Sequence, residues 1–370
     1  MNRRSDLPFR SAAILGGGLM GRLLAVTLAR AGCEVELFDA SGPQAEGSAA
    51  RVAAAMLAPL AESAVAPPSV VRMGHYALGR WPALIASLNA PVFFQRQGTL
   101  VLWHRQDAAE AARLARVLAG TAKAVPELPA MQPLDTAGIA ALEPALGRRF
   151  AQGLLLPEEG QLDNRELLAA LLATLEGLQV RLHWNAPRTL DDFAPGKPGQ
   201  PERVIDCRGL GARPQWNALR GVRGEVIRVH APEVALQRPT RLVHPRYPLY
   251  IAPKPGNVFV IGATEIESDD MSPASVRSTL ELLSAAYAVH SGFAEARIIE
   301  IATQCRPTLP DNLPAVRRPR PGVMQINGLY RHGFMIAPAI LDVAMELLAD
   351  GRSTLAGRFE LAPVPEETSP

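Results

Sequence analysis

A glycine-rich turn near the start of the chain constrains the fold more than any other feature of the sequence. Glycines stand at positions 16, 18 and 21, between an apolar run at 12–15 and a run with helical apolar spacing that ends at Gly32. Residues 34–39 then read as a second strand that ends at Asp39. Strand, tight turn, helix and strand in this order predict one βαβ unit.

The three glycines have separate tasks in such a unit. Gly16 allows the sharp turn, Gly18 lets a pyrophosphate approach the backbone, and Gly21 lets the helix pack closely on the sheet. The helix start offers free N–H groups and the positive end of the helix dipole to the diphosphate. Asp39 stands where a carboxylate accepts both hydroxyls of an adenosine ribose. The stretch therefore predicts dinucleotide binding, and the carboxylate argues against the 2′-phosphate of NADP.

The bulk properties describe an ordinary globular protein. A chain of 370 residues is long enough for two domains, and 48% of its residues are hydrophobic and 20% charged. The net charge of +2 is too small to predict binding to nucleic acid or to a membrane surface. No uninterrupted apolar run approaches the roughly 20 residues of a membrane span, and we expect a cytoplasmic location.

The cysteines and histidines do not indicate a metal site or disulfides. Cys33, Cys207 and Cys305 are widely separated, and no CxxC pair occurs. Such a set suits reduced thiols in a reducing compartment. The seven histidines show neither HExxH nor HxH spacing. We therefore expect neither disulfides nor a bound metal.

The rest of the chain contains two kinds of secondary-structure pattern, strand–glycine-turn segments and one β-rich segment. Strand and glycine turn recur at 202–211 and at 323–333, the latter followed by a helix from about Pro338 to Ala349. Between 223 and 301 the pattern is β-rich, with one helix capped by Ser272-Pro273. The predicted apolar face of that helix is Val276, Leu280, Leu283 and Tyr287. The predicted fold class is α/β: a discontinuous Rossmann-like domain interrupted by a second antiparallel-sheet (α+β) domain. Residues 366–370 are expected to form a disordered tail.

Short motifs along nearly the whole chain occur in the order found in one flavoprotein family. They are Gly16 to Asp39, Ala53-Ala-Ala-Met56-Leu-Ala-Pro59, Asp206-Cys-Arg-Gly-Leu-Gly211, Arg223-Gly-Glu-Val, Tyr250-Ile-Ala-Pro253, Gly262-Ala-Thr264, Cys305-Arg306-Pro307 and Tyr330-Arg331-His-Gly333-Phe-Met-Ile-Ala-Pro338. With these motifs the chain resembles the glycine oxidase branch of the D-amino acid oxidase family, the branch associated with thiamine biosynthesis. The first motif is shared by many flavoproteins, and the last three are far more specific.

The resemblance implies FAD, bound without a covalent bond in an extended conformation. It implies an FAD-binding domain of residues 1–80, 145–220 and 302–370 and a substrate domain of residues 81–144 and 221–301. The adenine end would lie at Gly16 to Asp39, and the flavin ring near Met56 and the turn before Pro338. The residues that would contact the cofactor are Gly16, Gly17, Gly18, Leu19, Met20, Gly21, Asp39, Ala40, Ala54, Ala55, Met56, Gly209, Tyr330, Arg331, His332, Gly333, Phe334 and Met335.

The resemblance also implies a substrate site. Arg306 would hold the substrate carboxylate, Tyr250 would assist it, and Arg331 would lie beside flavin and substrate. No catalytic side chain is assigned, because the cofactor supplies the chemistry. The sequence departs from the family at Ala55, where glycine is frequent, and at Cys305, where leucine is frequent. Related sarcosine oxidases attach flavin through a cysteine in this region, but we expect Cys305 to be an ordinary buried thiol.

The function that the resemblance implies is an FAD-dependent oxidase of glycine, sarcosine or small D-amino acids, which releases an imino acid and hydrogen peroxide. Its partners would be a small amino acid and O₂. One alternative is a dehydrogenase of the same fold that passes electrons to a quinone or carrier protein. Another is a dinucleotide-binding partner protein without turnover. The sequence leaves the preferred amino acid open, and also the oligomeric state, for which a homo-oligomer is one alternative.

Overall fold

The computed structural model describes residues 7–244 and 249–361. The expected tail, 366–370, lies outside the described residues. The α-helices are α1 Leu19–Arg30, α2 Ala49–Val52, α3 Pro59–Glu62, α4 Pro68–Ala86, α5 Ala108–Ala124, α6 Thr136–Leu142, α7 Asn164–Gly177, α8 Val276–Val289, α9 Gly333–Asp350 and α10 Thr354–Arg358. The strands are β1 Ser11–Leu15, β2 Glu34–Phe38, β3 Met56–Leu57, β4 Phe94–Gln95, β5 Thr99–Leu102, β6 Gln132–Asp135, β7 Gln152–Leu156, β8 Gly160–Leu162, β9 Arg181–His183, β10 Arg203–Asp206, β11 Arg220–His230, β12 Thr240–Leu242, β13 Leu249–Lys254, β14 Val258–Gly262, β15 Arg297–Thr308, β16 Ala315–Arg320 and β17 Val323–Asn327.

One sheet contains the predicted βαβ unit. Its strand order is β16-β17-β10-β1-β2-β9, and all neighbours are parallel except β16, which is antiparallel to β17. The carboxyl ends of β1, β2, β10 and β17 therefore meet at one edge, where Gly16, Asp39, Cys207 and Gly328 follow the strands. In open sheets of this kind ligands bind outside the carboxyl ends of the strands.

A second large sheet is mostly antiparallel. Its order is β15-β11-β14-β13-β12-β5-β7-β6, antiparallel except for the pair β12 and β5. The small strands β3, β8 and β4 form a third sheet. The predicted fold class is thus confirmed. The domain ranges stay a prediction; β7, which falls in the range 145–220, pairs within the second sheet.

Helix α9 begins at Gly333, five residues before the predicted start at Pro338, which lies inside the helix. Proline cannot donate to the carbonyl four residues earlier, and this usually ends a helix. Here the freed carbonyl, that of Phe334, accepts a hydrogen bond of 3.0 Å from the indole of Trp81. Trp81 is fully buried on α4, so the tertiary structure supplies the partner that the helix lacks.

The apolar face predicted for α8 is wrong. Val276 is 77% exposed, Leu280 60% and Tyr287 51%, and only Leu283 packs against the core of the second sheet. The buried face consists of Ser278, Leu282, Ala285, Ala286 and Val289. Small side chains such as Ala285 and Ala286 let the helix approach the sheet closely, whereas Val276, Leu280 and Tyr287 point outward. The helix is capped by Ser275, not by Ser272-Pro273.

Among the described residues one helical segment, Tyr330–Asp350, is long and apolar enough to cross a membrane by length and composition. Most of it is buried within the protein, where α9 packs against α4 and α1. It is therefore the core helix of this fold.

Candidate active site

A cavity of about 1230 Å³ lies between the two large sheets. It extends from Asp39 to Arg306, and its lining includes every residue predicted from the sequence to contact cofactor or substrate except Gly17 and Gly21. We call the part formed by 16–21 and Asp39 the glycine-turn end. The arginine end is formed by Arg306, Arg331, Arg241, Glu62 and Glu265.

The glycines of the turn are required by close backbone contacts. Gly16 has a φ of +99°, and a Cβ on it would lie 2.7 Å from the carbonyl carbon of Cys207. A Cβ on Gly21 would lie 1.8 Å from the oxygen of Gly16. Helix α1 follows with Gly18 as N-cap, no side-chain cap and no acidic residue in its first turn. Its first N–H groups are thus left to bind an anion.

Asp39 organises the same turn. Its Oδ2 accepts a hydrogen bond from the N–H of Gly17. Its Oδ1 accepts two from Ser41, at 2.7 Å from the amide and 2.6 Å from the hydroxyl. A carboxylate has about four acceptor positions, so Asp39 can both order the loop and receive further donors from a ligand in the cavity.

Arg22 was missed by the sequence reasoning. It follows Gly21 directly and is 1% exposed. Its guanidinium donates to the carbonyls of Gly17 at 2.6 Å, Pro43 at 2.6 Å and Leu168 at 2.8 Å. Burial lowers the pKa of Arg22 to about 10. The signal in the sequence was an arginine within the apolar run of α1. A charged side chain buried at such a position needs hydrogen-bond partners, as the three carbonyls provide here.

The loop before β3 forms one wall of the cavity. Ala55 has a φ of +53°, a conformation that glycine adopts more readily than alanine. The neighbouring carbonyl, of Ala54, accepts a hydrogen bond of 2.8 Å from Lys254 Nζ, which also donates to the carbonyl of Leu162 at 2.7 Å. Burial lowers the pKa of Lys254 to about 7. Lys254 therefore holds the backbone of the wall at Ala54 and Ala55 in place through this hydrogen bond.

The start of α9 forms another wall. Tyr330 has a φ of +50°, and its hydroxyl donates to Glu265. The helix begins at Gly333 without a side-chain cap, and Gly333, Phe334 and Met335 line the cavity. The positive end of a second helix thus points to the cavity.

Arg306 differs from the other cations of the arginine end in its partners. It lies on β15, and its two Nη atoms donate to the carbonyls of Arg223 at 3.3 Å and Thr264 at 3.1 Å. No carboxylate of the described residues lies within ion-pair distance of it. Burial lowers its pKa, but arginine stays charged in proteins. The guanidinium lies over Gly224, where a Cβ would be 2.5 Å from Nη2, and this explains the glycine in the motif beginning at Arg223.

Arg331, in contrast, is paired twice. Its Nε lies 2.9 Å from Glu62, and its Nη1 donates to Glu265. Glu62 also pairs with Arg241. Although burial opposes its ionisation, Arg331 and Arg241 together hold the pKa of Glu62 well below its usual value. Glu62, Arg241 and Glu265 were not predicted from the sequence. Glu62 and Glu265 follow closely after the motifs at 53–59 and 262–264, whereas Arg241 lies near neither motif.

Tyr250 and Cys305 differ in orientation. A Cβ on Gly262 would lie 2.6 Å from the hydroxyl of Tyr250, so the ring lies directly on that glycine beside the cavity. The thiol of Cys305 is directed to the carbonyls of Ser268, at 3.5 Å, and Asp270, at 3.8 Å. Cys305 precedes Arg306 on β15, and consecutive strand residues point to opposite faces.

Comparisons with known proteins agree with this geometry. Residues 11–347 match the family model described as FAD dependent oxidoreductase, DAO. The chain is 41% identical over 336 residues to a Rhizobium etli protein that carries the name thiamine biosynthesis oxidoreductase ThiO, with 90% of this chain and 95% of that protein covered.

Two solved structures share the fold. The glycine oxidase of Geobacillus kaustophilus superposes with a TM-score of 0.80 at 23% identity, covering 96% of this chain and all of that one. The iminodiacetate oxidase of Chelativorans sp. BNC1 superposes with a TM-score of 0.76, also at 23% identity, covering 96% of this chain and 97% of that one.

Proposed function

Because the chain belongs to the FAD-dependent oxidoreductases of the DAO family, we propose that it is an amino acid oxidase acting on glycine, sarcosine or a small D-amino acid. The observation that carries the proposal is Arg306, a cavity-lining guanidinium whose hydrogen-bond partners within residues 7–244 and 249–361 are carbonyls. A buried cation without a counter-ion is costly. A carboxylate ligand would remove that cost.

The cavity fits the cofactor of the family. The glycine-turn end offers the uncapped start of α1 to a diphosphate and Asp39 to ribose hydroxyls. The wall at Ala54 and Ala55 and the uncapped start of α9 would flank the flavin ring. A helix start near the ring favours negative charge on it. We infer that FAD binds here without a covalent bond.

The residues of the arginine end would act on the substrate by position and charge. Arg306 would bind the carboxylate with two parallel N–H groups, and Tyr250, on β13 of the same sheet, would support it. Bound FAD would supply the chemistry by accepting a hydride from the α-carbon and passing the electrons to O₂. The imino acid so formed would hydrolyse in water. No side-chain base is required, and none is assigned.

A role in thiamine biosynthesis is part of the proposal. It rests on the likeness to the Rhizobium etli protein, whose name states that pathway. We also keep the cytoplasmic location as an expectation.

The decisive experiment is a panel of amino acids assayed for hydrogen peroxide. We expect turnover of glycine, sarcosine or a small D-amino acid with one peroxide formed per O₂ consumed. Bleaching of the flavin by glycine without oxygen uptake would instead indicate the dehydrogenase. No bleaching by any amino acid under anaerobic conditions would leave the non-catalytic dinucleotide-binding protein and overturn the proposal.

A further inference from the structure

The two arginines that face the substrate region are held by adjacent residues in opposite ways. Thr264 binds Arg306 through its carbonyl oxygen, at 3.1 Å, and leaves the positive charge uncompensated. Glu265, the next residue, binds Arg331 through its carboxylate and compensates the charge. One short segment after β14 therefore gives one guanidinium a neutral partner and the other an anionic partner.

Glu62 is the second counter-ion of Arg331, but it is shared with Arg241. One oxygen of Glu62 lies 2.9 Å from Arg331, but the other pairs with Arg241. Among the described residues the arginine end thus holds the guanidinium groups of Arg306, Arg331 and Arg241 against the carboxylates of Glu62 and Glu265. His332 aside, one positive charge of these five described side chains is in excess, and it belongs to Arg306.

Glu265 is held in place by a second donor. The hydroxyl of Tyr330 donates to one carboxylate oxygen while Arg331 binds the other. Both partners come from the turn before α9, so the carboxylate has a fixed position at the cavity wall. A second carboxylate on a substrate would have to approach Arg331 against this fixed negative charge, and like charges placed together strongly disfavour binding.

We propose that Glu265 is a specificity-determining residue that restricts the site to amino acids with a single carboxylate. This inference rests on the proposed function, since it assumes that Arg306 binds the substrate carboxylate. In the parent, the charge of Glu265 prevents Arg331 from binding a second carboxylate. Removal of that charge would make Arg331 available as a second carboxylate-binding site.

The test compares glycine with iminodiacetate, which is glycine with a second carboxymethyl group on its nitrogen. The parent should favour glycine. Glu265→Gln keeps the size of the side chain and an oxygen acceptor but removes the charge. We expect it to raise the ratio of kcat/KM for iminodiacetate over glycine about ten-fold or more. Glu267→Gln is the matched control, because Glu267 makes an exposed ion pair with Arg220 outside the cavity; its ratio should equal that of the parent.

A binding measurement separates this inference from the proposed function. Glycolate and malonate are titrated into oxidised holoenzyme and followed by the flavin absorbance. Glu265→Gln should raise the ratio of malonate to glycolate affinity by about the same factor as the kcat/KM ratio. If Glu265 had a merely structural role, the variant would bind both ligands more weakly and to the same extent. If glycolate binding does not depend on Arg306, the proposed function fails. An unchanged malonate-to-glycolate ratio in Glu265→Gln, or in Glu265→Ala if the first variant does not retain FAD, overturns the inference alone.

Discussion

The two ends of the cavity are built in different ways. The glycine-turn end comes from one βαβ unit, and hydrogen bonds within that unit, such as that from Gly17 to Asp39, order it. The arginine end collects side chains from α3, β12, the segment after β14, β15 and the turn before α9. The first end is determined by local backbone geometry and the second by a charge balance that only the tertiary structure creates. Substitutions should therefore act locally at one end and through charge at the other.

The largest effect should come from Arg306→Ala. A substrate carboxylate in a closed pocket would lose its planar, permanently charged donor. Truncation of one partner of a buried charge pair costs about 2 to 5 kcal/mol, which corresponds to roughly 1.5 to 3.5 powers of ten in kcat/KM. We expect a loss of that size on glycine, mainly through weaker binding, with the FAD content unchanged.

Two controls test whether the loss reflects carboxylate binding. Arg306→Lys should recover only part of the efficiency, because lysine lacks the two-pronged geometry. An amine without a carboxylate should be a poor substrate for the parent and should lose little more in the variant. An Arg306→Ala enzyme with full FAD occupancy that oxidises glycine within a few-fold of the parent would contradict the assignment.

A smaller effect is expected at the other end from Asp39→Ala. The substitution removes the proposed ribose acceptor and also the acceptor of the Gly17 and Ser41 amides. A lost hydrogen bond to a charged group costs about 1 to 3 kcal/mol, so FAD affinity should fall roughly five- to 150-fold. Dialysis followed by flavin absorbance measures it, with Asp39→Asn as a control of nearly equal size. If Asp39→Ala retains FAD as the parent does, the assigned role is wrong.

This contrast also explains what could be predicted from the sequence. The glycine turn, Asp39 and the strand 323–327 follow local rules of spacing and were predicted at the residue level. The start of α9 was not, since it depends on the indole of Trp81 reaching the carbonyl of Phe334 from another helix. The outward face of α8 was missed because two apolar stripes compete on that helix, and only contact with the sheet decides between them.

The arginine end was predicted only in part. The family resemblance predicted Arg306, Tyr250 and Arg331 as substrate-binding residues, and these roles remain predictions. Glu62 and Glu265 could not be identified, because the pairing of a carboxylate with Arg331 is not encoded in any local spacing. The distinction between a paired and an unpaired arginine, on which the proposed specificity depends, exists only in three dimensions.

The stability of the fold should depend on pH through Glu159, which lies beside the arginine end. This buried carboxylate accepts the N–H of Ala61, at 2.8 Å, on the helix that carries Glu62. Burial raises the pKa of Glu159 to about 7 from an ordinary value of 4.5. Between these values the folded state holds the proton that the unfolded state has lost, so the stability falls as pH rises, by at most about 1.4 kcal/mol per pH unit.

Glu159→Gln should abolish this contribution while it keeps an acceptor for Ala61. We expect the free energy of unfolding of the holoenzyme in urea to decline less between pH 5.5 and 6.5 in the variant than in the parent. Glu158→Gln is the matched control, because Glu158 is exposed beside Arg96. Parallel pH profiles of the parent and Glu159→Gln would exclude titration of Glu159 in this range.

The smallest effect is expected from Cys305→Ala, which tests whether the flavin is held only by non-covalent contacts. The thiol is buried against the carbonyls of Ser268 and Asp270, and burial raises its pKa. A buried, protonated thiol is a poor nucleophile. We therefore expect acid precipitation of the parent to release all of its FAD into the supernatant, and Cys305→Ala to keep the same flavin content and kcat/KM on glycine.

Cys207→Ala serves as the comparison, because Cys207 also lines the cavity but lies beside the glycine turn. Yellow colour that remains with the precipitated parent and is lost only in Cys305→Ala would show a covalent link, and the arginine end would then hold the cofactor as well as the substrate.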